Sequence, residues 1–377
     1  MPIFDQGYQH WSGKLSGHAW RWLAVTRHGL RAGRKSRMLR MVLIVAWIPA
    51  LALALLLSMW GLVEQKASVV ATFVQFISAV LPGVATDPRH YRIDVWRLCY
   101  SYFLRVELFF SMILILLVGP SLISLDLRFN ALPLYFSRPL RRIDYFLGKL
   151  GVIVTFLAMV LIAPSVVAYI LGLLFSLDIT IVGDTFGILL SSIVYGLIIA
   201  LSAGLLMLAL SALSRNSRYV ALLWVGIWFV SGIVSSILQN VDSEQRRYAY
   251  FRQINEPPVD VRRDPSHRSH FEQRRENWER ARTNYRLAEL EFSKHDWRPL
   301  VSYTSNLSRL GRQLLKTDET WQNISQFQQD PEARRELLAT NMGPQYPWYW
   351  SAAVLAGLFG ISAWILNSSV KSLDRLK

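Results

Sequence analysis

Arg138, Arg141 and Arg142 stand close together between two apolar blocks of the chain. Guanidinium groups bond carboxylates well, often in pairs. The residues just before them, Leu132, Leu134, Tyr135 and Phe136, are suited to an apolar cleft and would be wasted in a solvated loop. Pro139 stiffens the turn in which they sit. Together these types read as a short helix, about 127–142, presented to something whose nature decides the function; plain orientation in the membrane and binding of lipid headgroups is the simpler use of the same arginines. Just upstream, Asp126 and Arg128 are placed to pair locally as a hinge brace.

Groups for covalent or metal chemistry do not assemble in the same way. The seven histidines (His10, His18, His28, His90, His267, His270, His295) lack ligand spacing, and His267 and His270 have no Cys or carboxylate at the right distance. The single cysteine, Cys99, reads as a packing residue and excludes a disulfide framework within the chain. Gly13-Lys14 is followed by Leu15 where a phosphate loop needs Ser or Thr, and no nucleophile-elbow pattern appears. The expectation is a non-enzyme without cofactor or metal. Arg105 and Glu107 fall at the outer edge of an apolar block, where snorkelling accounts for them, so an ion-coupled carrier lacks its internal charge. Pro164 could kink its block. Ser191, Ser192, Tyr195, Gly196, Ser202, Gly204, Ser231 and Gly232 could line a passage; equally, they serve as close-packing helix contacts.

These residues must be positioned by membrane helices. The chain has 377 residues, of which 52% are hydrophobic, and a mean hydropathy of +0.26. Apolar residues gather in six blocks long enough to cross a bilayer, roughly 40–62, 105–125, 150–175, 185–213, 219–239 and 347–368. Backbone groups in lipid must bond within their own segment. The chain therefore reads as an all-α polytopic membrane protein.

Its net charge of +15 has a location that excludes a nucleic-acid role. The first forty residues carry Lys14, Arg21, Arg27, Arg31, Arg34, Lys35, Arg37 and Arg40 against Asp5, with Trp11, Trp20 and Trp22 among them. That pattern predicts a cytoplasmic amphipathic helix on the headgroup surface over 1–38. With the N-terminus inside, six spans leave 126–149, the turn Ser214–Arg218 and the tail Lys371–Lys377 in the cytoplasm, all net basic. Loop 176–184 on the other side holds Asp178 and Asp184 and no basic residue. The placement is thus the cell's inner (cytoplasmic) membrane, with both termini cytoplasmic. Segment 67–85 carries Ser68, Thr72, Gln75 and Ser78 on one side, so it is predicted as an external amphipathic helix and not a seventh span.

The predicted organisation is a membrane domain over 39–239 with five spans, an extracytoplasmic helical region over 240–346, and the sixth span with its basic tail over 347–377. The extracytoplasmic region opens with a Pro- and charge-rich linker, continues through a long solvated helix marked by Trp278, Tyr285, Leu287, Leu290 and Phe292, and returns to the membrane surface through WRPLVSYTSNLSRL. It has too little apolar content for a large core of its own. The sequons at Asn306 and Asn323 carry weight only in a secretory pathway.

The run GPSLISLDLRFNALPLYFSRPLRRIDYFLGK, residues 119–149, resembles the signature region of type-2 ABC transporter permeases, the export-class transmembrane subunits. In that family an acidic residue closes the second span, a leucine-rich segment and a Ser-x-Pro motif make a cytoplasmic coupling helix, and Gly-Lys opens the third span. The matching positions are Asp126, Ala131-Leu132, Leu134, Ser137-Arg138-Pro139 with Leu140, and Gly148-Lys149. Asp replaces the commoner Glu, and Asn130-Ala131 stands where Gly-Thr is common. WRPLVSYTSNLSRL is similar to the family's Trp-x-x-Leu-Ser-Pro stretch, with Tyr-Thr in place of Pro. Only 240–295 has no counterpart. The resemblance implies a permease of an ATP-driven exporter, with ATP and magnesium on a separate ABC ATP-binding subunit and a second permease copy, identical or sister, beside it. The alternative is a membrane anchor or assembly factor whose external region binds an envelope partner. The two differ in whether residues 130–142 tolerate change.

Overall fold

A computed structural model describes residues 20–80, 87–136, 140–176, 178, 180–254, 281–282, 284–326, 328 and 330–371. Six of its helices are long and apolar enough to cross a membrane: Arg37–Glu64, Arg92–Arg128, Arg142–Leu174, Thr180–Leu213, Ser217–Tyr250 and Trp348–Ser369. No strand occurs among the described residues. The six expected blocks are all present, but most helices overrun them. The second begins at Arg92 instead of 105, and the fifth continues as helix to Ile254. Hydropathy marks only the apolar middle of a helix; its polar ends are fixed by neighbours.

The second, third and fourth spans form the packed centre. In their most apolar windows 61%, 44% and 61% of residues are buried, against 28%, 17% and 22% in the first, fifth and sixth. The centre is held by aromatic side chains with polar tips. The Tyr100 hydroxyl donates to the Ser165 carbonyl at 2.9 Å, and Trp96 meets Tyr169 edge-on at 5.6 Å. Trp224 of the fifth span donates to the Met112 carbonyl at 3.1 Å. Small residues let backbones approach: a Cβ at Gly172 would meet Trp96 and Leu57. The third helix runs unbroken through Pro164, so the expected kink does not end it.

Glu107 corrects the sequence reading. It does not snorkel at an edge; it lies well inside the second span, fully buried, and neither carboxylate oxygen has a partner among the described residues. Arg105 points to the other side of the helix and is exposed.

At one end of the bundle the chain turns through the 119–149 elbow. At the other, Arg92 ties three segments together. Its guanidinium bonds Glu64 at 2.6 Å, Asp178 at 3.2 Å and Asp184 at 3.3 Å, while itself nearly buried. Segment 67–85 is a short helix, Ala71–Val80, after a turn of Ser68–Val70. The described part of this helix is shorter than a span needs; residues 81–86 lie outside the described part.

The region after the fifth span packs on that same end. Helix Tyr303–Leu314 starts at Ser302, whose hydroxyl accepts the Ser305 N–H at 3.2 Å. Its Tyr303, Leu307 and Leu310 are buried with the bundle core. Helices Thr317–Ser325 and Pro331–Asn341 follow. The stretch WRPLVSYTSNLSRL, expected to return to the membrane surface, packs on the bundle. Of the predicted solvated helix, 284–292 is helical and described, with Tyr285 donating to the Ser243 carbonyl at 2.7 Å. The Pro-rich linker lies outside the described residues. Asn306 is buried and donates to the Leu300 carbonyl at 2.7 Å, leaving no room for a glycan on the folded chain.

Candidate functional site: the elbow between the second and third spans

The second span does not run straight into the elbow. Its helix Arg92–Val118 ends at Gly119-Pro120, and a new turn, Ser121–Arg128, begins. Proline has no N–H to give, and the first amides of a new helix have no partner within it. Ser211 of the fourth span supplies both needs. Its hydroxyl accepts the N–H groups of Ile123 and Ser124 at 3.1 and 3.0 Å and donates to the Pro120 carbonyl at 3.0 Å. Gly119 makes this crossing possible, because a Cβ there would overlap Met207. Neither Ser211 nor the break was expected; the Gly-Pro-Ser triplet at 119–121 was the available signal.

The turn closes with a Schellman motif. The Ala131 N–H reaches the Asp126 carbonyl at 2.8 Å and the Asn130 N–H the Leu127 carbonyl at 3.4 Å. Asn130 takes a left-handed conformation, φ 53°. Asparagine tolerates this better than most residues. That explains in physical terms why a residue other than glycine can occupy the position. A short helix, Leu132–Phe136, follows. Ser137, Arg138 and Pro139 lie outside the described residues. The third span then opens with the Asp144 carboxylate accepting the Arg141 N–H at 3.2 Å.

Asp126 holds the two sides of the elbow together, but not with Arg128. Lys149 Nζ sits 2.6 Å from Asp126 Oδ2, and the Tyr145 hydroxyl donates to the same oxygen at 2.6 Å. Both ends of the ion pair are largely buried. Lys149 also lies 5.8 and 5.4 Å from the ring centres of Tyr135 and Tyr145, which face each other at 5.2 Å. Burial, and then the Asp126 charge, raise the Tyr135 phenol pKa, so the ring stays neutral. Arg128 instead lies over its neighbour Phe129 at 5.8 Å. A brace between residues two apart cannot tie helices; one between Asp126 and Lys149 ties the second span to the third.

The structure divides the predicted contact residues. Leu132 is 4% exposed and belongs to the chain's own core, and Tyr135 and Leu140 pack partly against it. Leu134 is 73% exposed and Phe129 is 72% exposed. Arg128 and Arg141 are exposed, and Arg142 is half-buried. The outward surface is therefore Phe129, Leu134, Arg128 and Arg141, with Phe129 missing from the sequence expectation.

The N-terminal helix Arg21–Gly33 completes the site. It does more than rest on a surface: it crosses the start of the third span at very close range. Thr26 Oγ1 donates to the Gly148 carbonyl at 2.9 Å. A Cβ at Gly148 would stand 2.5 Å from Val25 Cβ and 2.9 Å from the Trp22 carbonyl, and one at Gly151 2.6 Å from Thr26 Oγ1. Gly148-Lys149 thus performs two tasks in adjacent positions, admitting one helix and tying down another. Arg27 and Arg31 remain exposed.

The residues expected at a passage or at helix contacts serve several local bonds. Ser192 is buried and bonds the Leu189 carbonyl of its own helix at 2.7 Å, while Ser191 is half-buried. Ser202 meets the Tyr303 hydroxyl at 3.1 Å, and Ser231 accepts the Tyr303 N–H at 3.4 Å. Tyr195 lies under Gly311 and borders a cavity of 340 Å³. Ser202 and Ser231 serve a seam between spans and the helix Tyr303–Leu314.

Residues 23–364 match the family model described as ABC-2 family transporter protein. No curated protein gives a significant match. The family match takes in the first five spans, most of the sixth, the elbow and the packed region after the fifth span. The chain belongs to the ABC-2 transporter family. It is a multi-pass membrane protein and a permease component of an ABC transporter, a family whose members associate with an ABC ATP-binding subunit.

Proposed function

From its membership of the ABC-2 transporter family, we propose that the chain is the permease subunit of an ATP-driven exporter whose ATP and magnesium are handled by a separate subunit. It sits in the cytoplasmic membrane with both termini and the elbow inside, and it works as a pair with an identical or sister permease. The ATP-binding subunit docks on the elbow. The observation that carries this reading is the split of the elbow into an anchored inner face, Asp126–Lys149–Tyr145, and an outward face of Phe129, Leu134, Arg128 and Arg141. A lever needs both. A loop that served only to orient the chain would need basic charge, not exposed aromatic and leucine side chains on a tied base.

Closing of two ATP-bound subunits would move the docked face, and the Asp126–Lys149 tie would pass that movement to the second and third spans together. No proton or metal step is required of this chain; its work is mechanical.

The test is affinity purification of the tagged chain from its own membrane, followed by ATP hydrolysis in nanodiscs. Phe129→Asp with Leu134→Asp, and separately Arg138→Glu with Arg142→Glu, should remove the co-purifying ATPase activity while membrane insertion remains normal. Full ATPase activity and transport in both variants would refute the assignment.

A further inference from the structure

At the end of the bundle opposite the elbow, a cavity of 340 Å³ lies between the second span and the helix Tyr303–Leu314. Its charged lining residues are Arg105 and Arg312, and Ser101, Thr304, Ser305 and Ser308 add hydroxyls. No carboxylate is among the described residues that line it.

The positive charge here is not cancelled from behind. Asp318 is the acid at hand, and Arg309 holds it at 2.9 Å. Arg309 also donates to the Tyr346 carbonyl at 2.7 Å. Arg312 has only a 3.9 Å approach to the other Asp318 oxygen, and its Nη2 donates to the Pro344 carbonyl at 2.8 Å. Arg105 has no carboxylate partner among the described residues; it lies 5.6 Å from the ring centre of Tyr102. Arg309 and Arg312 therefore share one carboxylate, and Arg105 adds a further like charge beside Arg312. Burial lowers the pKa of Arg312, and the like charges of Arg309 and Arg105 add to this while Asp318 opposes it. An anion between Arg105 and Arg312 would offset the like-charge repulsion and favour the charged guanidinium.

The position of Arg312 is built in. Its side chain is 12% exposed. Gly343 lies directly against the guanidinium, so that any Cβ at 343 would overlap Arg312 Nη1. On the facing side, Gly311 lets the same helix settle on the Tyr195 ring. A loose surface arginine would need no such glycine.

We propose that this cavity binds an anionic group, a phosphate or carboxylate, between Arg105 and Arg312, with the serine and threonine hydroxyls as further donors. Its volume is at the small end of ligand pockets, which fits a headgroup or a small anion and not an acyl chain. The inference does not depend on the exporter reading, since it concerns the other end of the molecule.

The experiment uses the purified full-length chain in nanodiscs. One arm titrates inorganic phosphate at constant ionic strength in phosphatidylcholine discs. The other compares discs with and without phosphatidylglycerol and detects retained lipid by native mass spectrometry. Saturable phosphate binding assigns a soluble anion; selective retention of phosphatidylglycerol assigns a lipid headgroup. Either should weaken at least about tenfold, the equivalent of ~1.4 kcal/mol, in Arg105→Gln with Arg312→Gln. Gly343→Val, which displaces the guanidinium without removing charge, should weaken it too. If the double variant does not fold, Arg105→Gln alone, at an exposed position, carries the comparison. No saturable binding of either probe, or binding unchanged in the variants that fold, overturns the proposal.

Discussion

The Asp126–Lys149 pair lends itself to a double-mutant cycle with Asp126→Asn, Lys149→Met and both together. The charges are 2.6 Å apart, and the side chains are 16% and 11% exposed. At an effective dielectric of about 20, the attraction at that distance is about 6 kcal/mol. Desolvation of two largely buried ions offsets several kcal/mol of this. A coupling energy of about 2–4 kcal/mol remains, within the range measured for close charge pairs. Each single change leaves a charge behind. Asparagine at 126 leaves Lys149 between the rings of Tyr135 and Tyr145, where a cation keeps roughly 0.5–2 kcal/mol. Methionine at 149 leaves a carboxylate still held by the Tyr145 hydroxyl. The double variant loses the pair without stranding either charge, so it should be about 2–4 kcal/mol better than the sum of the singles.

Equilibrium unfolding in mixed micelles of fixed composition, followed by tryptophan fluorescence, reads this directly. Additivity of the two single effects to within about 0.5 kcal/mol would mean that the residues do not act together, and the elbow would lose its tie. The same variants divide structure from coupling. A variant that is less stable yet inserted and still bound to the ATPase, with hydrolysis no longer linked to transport, is the result expected of a tie that passes movement to the bundle.

Three further outcomes follow from the geometry. Gly148→Ala places a methyl group 2.5 Å from Val25 Cβ and should cost about 1–3 kcal/mol by overpacking; limited proteolysis near Arg34-Lys35 would show the N-terminal helix released. Glu107→Met replaces a buried carboxylate without partners by an apolar chain of similar length and should stabilise the protein by roughly 1–3 kcal/mol; a loss of stability in unfolding titrations would contradict the burial seen here. Asp178 is held down to about 2 by the Thr180 N–H and hydroxyl and then by Arg92. Its folded pKa lies below the ordinary carboxylate value, so its contribution is complete above about pH 4 and is lost as pH falls toward 2. Asp178→Asn should flatten the melting-temperature profile in that window and leave a constant deficit above it.

How much of this was legible in the sequence depended on what sets each feature. The six spans were, because hydropathy over ~20 residues is a property of the segment itself. Their ends were not. Arg92 prolongs the second span beyond its apolar block because Glu64, Asp178 and Asp184 meet it there. Glu107 read as an edge charge for the same reason: the helix Arg92–Arg128 starts 13 residues before Arg105. At the elbow the important residue types were visible, but their partners were not. Asp126 and Arg128 are neighbours in sequence, while Lys149 becomes one only when the second and third spans pack side by side. Leu132 and Leu134 look alike in a motif; the short helix Leu132–Phe136 buries one and exposes the other. Phe129 escaped notice because it precedes the turn at Asn130, whose positive φ turns the following segment back toward the bundle.

The distribution of burial bears on how an elbow could act on the bundle. Its two ends belong to the second and third spans, and its Ser211 staple to the fourth; these are the three best-buried helices. Force applied at the elbow would therefore enter the packed centre and not a peripheral helix. Ser211 staples the Gly119-Pro120 break itself, and the Asp126–Lys149 tie follows it on the elbow side. A break capped by a neighbouring side chain can bend only if that cap lets go, so Ser211 sets the stiffness of the joint. Ser211→Ala would leave the Ile123 and Ser124 amides buried without acceptors, at a cost of about 1–3 kcal/mol. If the joint lies at Ser121–Arg128 and flexes independently of the third span, that loss should appear as faster hydrogen exchange at 121–125 while the amides of 142–160 keep their protection. Equal loosening on both sides would mean that the elbow and the third span are a single unit, and that the joint lies elsewhere.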